Sequence, residues 1–222
     1  MEVSLLNNQN SIASKEFQFP AFYISKNSKN FYFKSYNFQS GSLNFLSGES
    51  RSGKSLYLRC LTGLEEPLDK PDDLSFLSYH IVYKPQTIKP KYEGTINDFI
   101  ILHNLGEQDL FFKYHNFFSI QKIENKKIKE LTETEKQIFS LFLFFLKDGE
   151  IYILDYPTEL FDYEFRLKLS NDFKLFCLQK NKTGFICESD ANIIKNISNS
   201  GDSIINFSSF NENKFFNKIT LV

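Results

Sequence analysis

The chain is poor in the residues that staple a fold, bind metals or sense redox state. Its 222 residues include no tryptophan, one methionine, three histidines and three cysteines. Cys60, Cys177 and Cys187 lie far apart and form no C-x-x-C pair. That argues against an even disulfide framework and against a clustered-cysteine metal site. His80, His103 and His115 show no metal-ligand spacing, so packing or plain surface explains them. Excess charge of one sign is also missing: 26 Lys and Arg against 27 Asp and Glu leave a net charge of −1. A nonspecific nucleic-acid binder would carry a global basic field, and this chain has none. The most apolar stretch, Ile138 to Leu146, is far short of the ~20 residues that span a bilayer. The start "MEVSLLNNQNSIAS" has neither the charged opening nor the apolar core of a signal peptide. The expectation is a soluble cytoplasmic protein with no membrane partner.

What is present is phenylalanine, 26 residues of it, within an ordinary apolar share of 41%. A chain of this length buries roughly 70% of its unfolded surface as one domain and needs no staple. Residues 1–16 are polar and irregular, an expected loose arm ahead of a single domain over 17–222. From Phe17 to Leu46 the apolar and polar residues alternate as in strands, with Ser-Gly as a turn signal. "KSLYLRCLTGL" has helical spacing and "YHIVYKPQ" reads as a short strand. A helical region of about 95–145 follows, ending in "LTETEKQIFSLFLFFLKDGE". There Thr132 and Glu135 have capping-box spacing, and the phenylalanines read as core. "IYILDYP" and "TGFICESD" are continuous apolar runs, the mark of buried parallel strands. "YEFRLKLSNDFKLFCLQKN" and "NIIKNISNS" read as helices, and "DSIINFSSF" as the last strand. Strand and helix alternate, so the fold class is α/β with a mostly parallel core.

Two motifs carry chemistry. "SGESRSGKS" fits G-x-x-x-x-G-K-[ST] between a strand-like and a helix-like segment. In that context successive backbone N–H groups from Gly48 through Glu49, Ser50, Arg51, Ser52 and Gly53 to Leu56 form an anion cradle at a helix start. Lys54 would reach the outer phosphates and Ser55 would ligate Mg²⁺. The competing reading is a Gly/Ser turn that happens to precede a lysine. In "IYILDYPTE" the strand ends in Asp155, which can hold Mg²⁺ or simply cap the next helix. A phosphate loop earlier in the chain favours the metal role.

The order "GESRSGKS", "VYKPQTIKP" with Gln86, "LTETEKQ", "LDYPT" and "CESD" resembles that of ATP-binding-cassette (ABC) domains. More narrowly, "VYKPQTIKPKYEGTINDF", "FICESD" and "FQFPAF" resemble the second nucleotide-binding domain of the RNase L inhibitor-type, E-subfamily ribosome-recycling ATPases, over roughly 17–207. The resemblance implies a phosphate-loop NTPase with an N-terminal antiparallel β subdomain and a helical subdomain. It implies ATP and Mg²⁺ as ligands, and a ribosome or another ABC domain as partner. Phe19 would stack on adenine, Gln86 would sense Mg²⁺ and water, and Ser55 and Asp155 would support the metal.

The departures from that pattern matter as much. Tyr156 stands at the position of the catalytic Glu, and a phenol with a pKa near ~10 is a poor base at neutral pH. Ser189 stands at the position of the switch His. Thr132-Glu133-Thr134 replaces the signature Ser-Gly-Gly, and Glu133 would repel a triphosphate at close range. A sandwich homodimer needs that signature, so it is not expected. Arg51 takes a usual glycine position and either adds a phosphate contact or distorts the turn. Three readings follow: a nucleotide-binding module with little turnover, a slow ATPase completed by a partner domain, and a scaffold that has lost its nucleotide. Lys122, Lys126, Lys127 and Lys129 form either a solvated face or an RNA contact.

Overall fold

A computed structural model of the chain describes residues 15–26, 29–49, 51–66, 78–86, 92–155, 160–210 and 214–221. The described chain opens with β1 (Glu16–Phe19), β2 (Phe22–Lys26), β3 (Lys29–Phe33), β4 (Tyr36–Gln39) and β5 (Leu43–Gly48). After β5 come α1 (Lys54–Leu61), β6 (Ile81–Lys84), α2 (Ile96–Leu102), α3 (Phe111–Phe117) and α4 (Glu133–Leu146). Then follow β7 (Ile151–Leu154), α5 (Tyr163–Lys180), β8 (Thr183–Cys187), α6 (Ala191–Ile197), β9 (Ser203–Phe210) and β10 (Lys214–Leu221).

Five strands run parallel in the order β9-β5-β8-β7-β6. Every residue of β7 and β8 is buried, which is why both read as unbroken apolar runs rather than alternations. The sheet has two covered faces. Leu46, Ile151, Ile153, Phe185 and Cys187 pack with Tyr57 and Leu58 of α1. Phe45, Tyr152, Leu154 and Ile186 pack with Leu169 and Phe173 of α5 and with the helical segment.

The antiparallel strands divide. β1 pairs with β4 alone, while the β2–β3 hairpin extends the main sheet through parallel pairing of β3 with β10. β9 is not the last strand: β10 follows it, antiparallel. The Asn and Lys in "KFFNKITL" dilute its apolar pattern, and a ladder of backbone bonds does not need that pattern.

Thr132 caps α4, accepting from Glu135 N–H at 3.2 Å while the Glu135 carboxylate accepts from Thr132 N–H at 2.9 Å. The α4 phenylalanines are core: Phe145 stacks on Tyr114 at 4.3 Å between ring centroids, and Phe144 meets Tyr152 and Phe173 edge-on. At the opposite end of β5, Asp202 is buried and accepts from Lys174 Nζ, from Leu43 N–H at 2.9 Å and from Asn199 N–H at 2.8 Å. This buried pair ties α5 to the start of the central strand.

β5 ends at a glycine because no side chain fits there. Gly48 has φ 133°, and a Cβ would stand 2.2 Å from the Phe207 carbonyl oxygen and 3.0 Å from its carbon. Backbone atoms held in the β5–β9 ladder cannot yield cheaply. Gly48→Ala is expected to lower unfolding free energy by at least about 2 kcal/mol, the sum of overpacking and left-handed strain, in urea unfolding.

Candidate functional site

The carboxyl ends of β5, β8, β7 and β6 share one edge of the sheet, the edge at which open parallel sheets bind ligands. The turn from β5 into α1 occupies that edge. Gly53 caps α1 at φ 100°, and its missing Cβ leaves room for the Phe31 ring, which such a Cβ would meet at 2.8 Å. Lys54 is 2% exposed, and its Nζ donates to the carbonyls of Gly48 at 2.7 Å and Glu49 at 2.6 Å and to Ser52 Oγ at 3.2 Å. Burial pushes its pKa down, opposed by Cys187, Asp155 and Glu49. Arg51 is exposed in the left-handed region, φ 65°. That conformation costs a non-glycine residue roughly 1–2 kcal/mol.

Asp155 directly follows β7 and is 2% exposed. Its Oδ1 accepts from Ser55 Oγ at 2.9 Å and its Oδ2 from the Tyr83 hydroxyl at 3.1 Å. Burial pushes its pKa up, opposed by hydrogen bonds from Ser55, Cys187 and Tyr83 and by the charge of Lys84. Tyr83 is raised in turn, by burial first and then by Asp155. Lys54, Ser55 and Asp155 are thus brought together from two elements. The adjoining Ser55 hydroxyl and Asp155 carboxylate are hard oxygen donors of the kind Mg²⁺ takes.

Sequence reasoning gave no role to Tyr83, Lys84, Gln137, Arg166 or Glu188. Lys84 is buried, and its Nζ donates to Gln137 Oε1 and, at 3.3 Å, to the Pro85 carbonyl. Burial pushes its pKa down to about 8, opposed by Asp155. Gln137 Nε2 donates in turn to the Gln86 carbonyl at 2.8 Å, so α4 holds the backbone of the glutamine segment. The residues of "IVYK" carry no signal of this: the strand alternates in burial, and its alternation puts Lys84 in a buried place and Tyr83 in a half-buried one.

Other expected site residues fall as follows. Phe19 is corrected: it is 0% exposed, enclosed by Phe38, Tyr79 and Phe185, and a ring with no open face cannot stack on adenine. Leu56 turns its side chain into the apolar cluster beneath α1, leaving only its backbone for a ligand. Gln86 is exposed just beyond β6. Ser189 is exposed, and its N–H donates to Glu188 at 2.8 Å. Glu133 is exposed and paired with Lys136 at 2.6 Å. Lys126 is paired with Glu135 at 2.6 Å, while Lys122, Lys127 and Lys129 are exposed. Ser50 and Tyr156 lie outside the described residues. Among the described residues no group of three or more His, Cys, Asp or Glu could hold a metal, and no helix is long and apolar enough to cross a membrane.

Comparison with known proteins bears on this arrangement. The sequence profile of the family described as ABC transporter matches residues 34–159. Translation initiation factor RLI1 of Chaetomium thermophilum is 30% identical over 194 residues, 80% of this chain and 29% of that protein. Protein Pixie of Drosophila melanogaster is 30% identical over 162 residues, 69% of this chain and 25% of that protein. The chain spans about a quarter of the length of the curated relatives it matches. Among solved structures, an RNase-L Inhibitor has a TM-score of 0.80 at 22% identity, over 93% of this chain and 40% of that one. An archaeal ribosome recycling factor, solved in complex with the archaeal ribosomal stalk protein, has a TM-score of 0.80 at 22% identity, over 96% of this chain and 41% of that one. At such identity the structures speak for the fold alone. The profile runs over more than half the chain, through the phosphate loop, Gln86 and Asp155, so the chain belongs to the ABC transporter family as an ATP-binding-cassette domain related to the RNase L inhibitor type.

Proposed function

We propose that the chain binds Mg-ATP at the turn from β5 into α1, hydrolyses it slowly at most, and works in the cytoplasm as a binding module on a ribosomal particle. The observation that carries the binding claim is the convergence of Lys54, Ser55 and Asp155 at one edge of the sheet. Lys54 spends its donors on neutral carbonyls of its own loop. Anionic phosphate oxygens are stronger acceptors, so a nucleotide can take those donors over. Ser55 and Asp155 would hold Mg²⁺, with Gln86 the further candidate ligand. When bound, the ion neutralises charge on the phosphates.

Slow turnover is supported by the replacements themselves. Tyr156 offers a phenol at the expected base position and Ser189 a hydroxyl at the switch position. Loss of a positioned base alone typically costs ~10²–10⁴ in rate. The ribosomal part is supported by kinship with Translation initiation factor RLI1 and by the archaeal relative named as a ribosome recycling factor. Exposed Lys122, Lys127 and Lys129 are the candidates to meet RNA phosphates.

Calorimetry is expected to show Mg-ATP binding by the wild type and none by Lys54→Ala; a wild type that takes up no nucleotide would sink the binding claim. Tyr156→Glu is expected to raise steady-state hydrolysis at least tenfold, and an unchanged rate would put the main defect in the signature or the loop. On sucrose gradients of a native extract the protein is expected to travel with ribosomal subunits. Recovery only in the free fractions would remove the ribosomal role.

A further inference from the structure

The turn from β5 into α1 holds a residue whose conformation is strained and whose charge is unpaired. Arg51 has φ 65°, in the left-handed region that favours glycine. Ser52 N–H donates to the Glu49 carbonyl at 3.3 Å, so Glu49 to Ser52 form a turn with Arg51 at its third position. A positive φ at that position ordinarily goes with glycine or asparagine. The other non-glycine residues at positive φ among the described residues are Asn104, Ser119 and Asn181. Asparagine tolerates the region because its short polar side chain bonds locally, and serine is small. Arg51 is the one long side chain in that set. Backbone strain of this kind persists where the surrounding structure or a ligand offsets it.

The surrounding structure does not offset it. Arg51 is exposed and has no ion-pair partner among the described residues, whereas Arg59 pairs with Glu65 at 3.0 Å and Arg166 with Glu188. Nor does the arginine reshape its loop. Lys54 Nζ still reaches the carbonyls of Gly48 and Glu49, and Ser55 still meets Asp155. Tyr57 N–H donates to the Gly53 carbonyl at 2.9 Å, so α1 starts in regular fashion. The turn is strained but not distorted, and a glycine at position 51 would hold the same backbone without the strain.

A guanidinium at this place can bind an anion. Lys54 is 2% exposed and supplies its charge from inside the loop, while Arg51, three residues earlier, stands outside it. Exposed Glu49 puts a negative charge on the same turn, which repels phosphate, and a cation two residues on offsets that repulsion. The planar fork of a guanidinium matches phosphate oxygens two at a time, which a lysine ammonium does not. We propose that Arg51 is a phosphate-binding residue, whose guanidinium grips the bound nucleotide's phosphates from the solvent side while Lys54 holds them from within. This rests on the nucleotide-binding reading above. The strain at φ 65° is then offset in the bound state, by charge-assisted hydrogen bonds that a glycine could not make.

Three variants test it. Arg51→Gly removes both strain and charge, Arg51→Asn removes the charge in a residue that tolerates the left-handed region, and Arg51→Lys keeps the charge. By calorimetry Arg51→Gly and Arg51→Asn are expected to bind Mg-ATP at least about tenfold more weakly than the wild type, the loss of a charge-assisted hydrogen bond. Arg51→Lys is expected to recover part of that loss. Added salt is expected to weaken wild-type binding more steeply than binding by Arg51→Asn. The free Arg51→Gly protein is expected to melt no lower than the wild type, because relief of left-handed strain outweighs the added freedom of its unfolded chain. Mg-ATP binding by Arg51→Gly as tight as the wild type's, or tighter, would overturn the role, since the arginine would then only strain the turn. Equal salt dependence in wild type and Arg51→Asn would overturn it too, as would weaker binding by Arg51→Gly that comes with a lower melting temperature. A wild type that takes up no Mg-ATP would sink the nucleotide reading and this role together, whereas a wild type that binds beside variants that bind equally well removes this role alone.

Discussion

The hydrogen bond from Ser55 Oγ to Asp155 Oδ1, 2.9 Å long, joins residues 100 positions apart and depends on the whole parallel sheet. Ser55 belongs to α1, which starts where the turn after β5 allows. Asp155 belongs to the end of β7, one strand beyond β8. Parallel pairing sends all three strand ends to one edge, so the bond forms only if the crossover segments lie on the faces and stay out of that edge. The close approach of Gly48 to Phe207 fixes where the turn begins, and Gly53 fixes where the helix begins. Between them Lys54 folds back on its own loop, which keeps a buried ammonium bonded rather than bare.

The same edge concentrates the chain's buried charges. Lys54, Asp155, Lys84 and Glu188 are each almost wholly enclosed. Burying a charge is costly unless it is paired or bonded, and the solutions differ. Lys54 uses loop carbonyls and Asp155 uses a serine and a phenol. Lys84 uses Gln137, which carries the link on to the carbonyl of Gln86. Glu188 is the least complete, with one oxygen bonded and one not. Lys174 and Asp202 show what a structural pair looks like by contrast: they lie away from the ligand edge, and Asp202 spends both oxygens, one on Leu43 and the other on Lys174 and Asn199.

Much of this was legible in the residues. The phosphate loop was visible as glycine spacing before a helix, and β7 and β8 as apolar runs of strand length. The capping box of α4 was visible as Thr132 and Glu135. Each is a local pattern, set by contacts within a few residues. Phe19 misled because an aromatic before a proline looks the same whether its ring faces solvent or core, and only the meeting of β1 with Phe38, Tyr79 and Phe185 encloses it. β10 was missed because its own composition is mixed, and its place between β3 and β9 is fixed by backbone pairing rather than by an apolar pattern.

By itself the sequence determined the fold class, the glycine-bounded turn between β5 and α1 and the aspartate that follows β7. Backbone geometry and apolar periodicity are written into neighbouring residues, and the family profile runs over the same stretch. Only the tertiary structure decided which charges are buried and what each one bonds. It set Tyr83 against Asp155, linked Lys84 to Gln86 through Gln137, and left one buried oxygen of Glu188 without a hydrogen bond. Those contacts cross 51 to 72 positions in the first two cases, and in the last they depend on α5 packing over β8. Hydrogen bonds in a low-dielectric interior are decided by what packing brings within 3 Å, and no spacing rule along the chain encodes that.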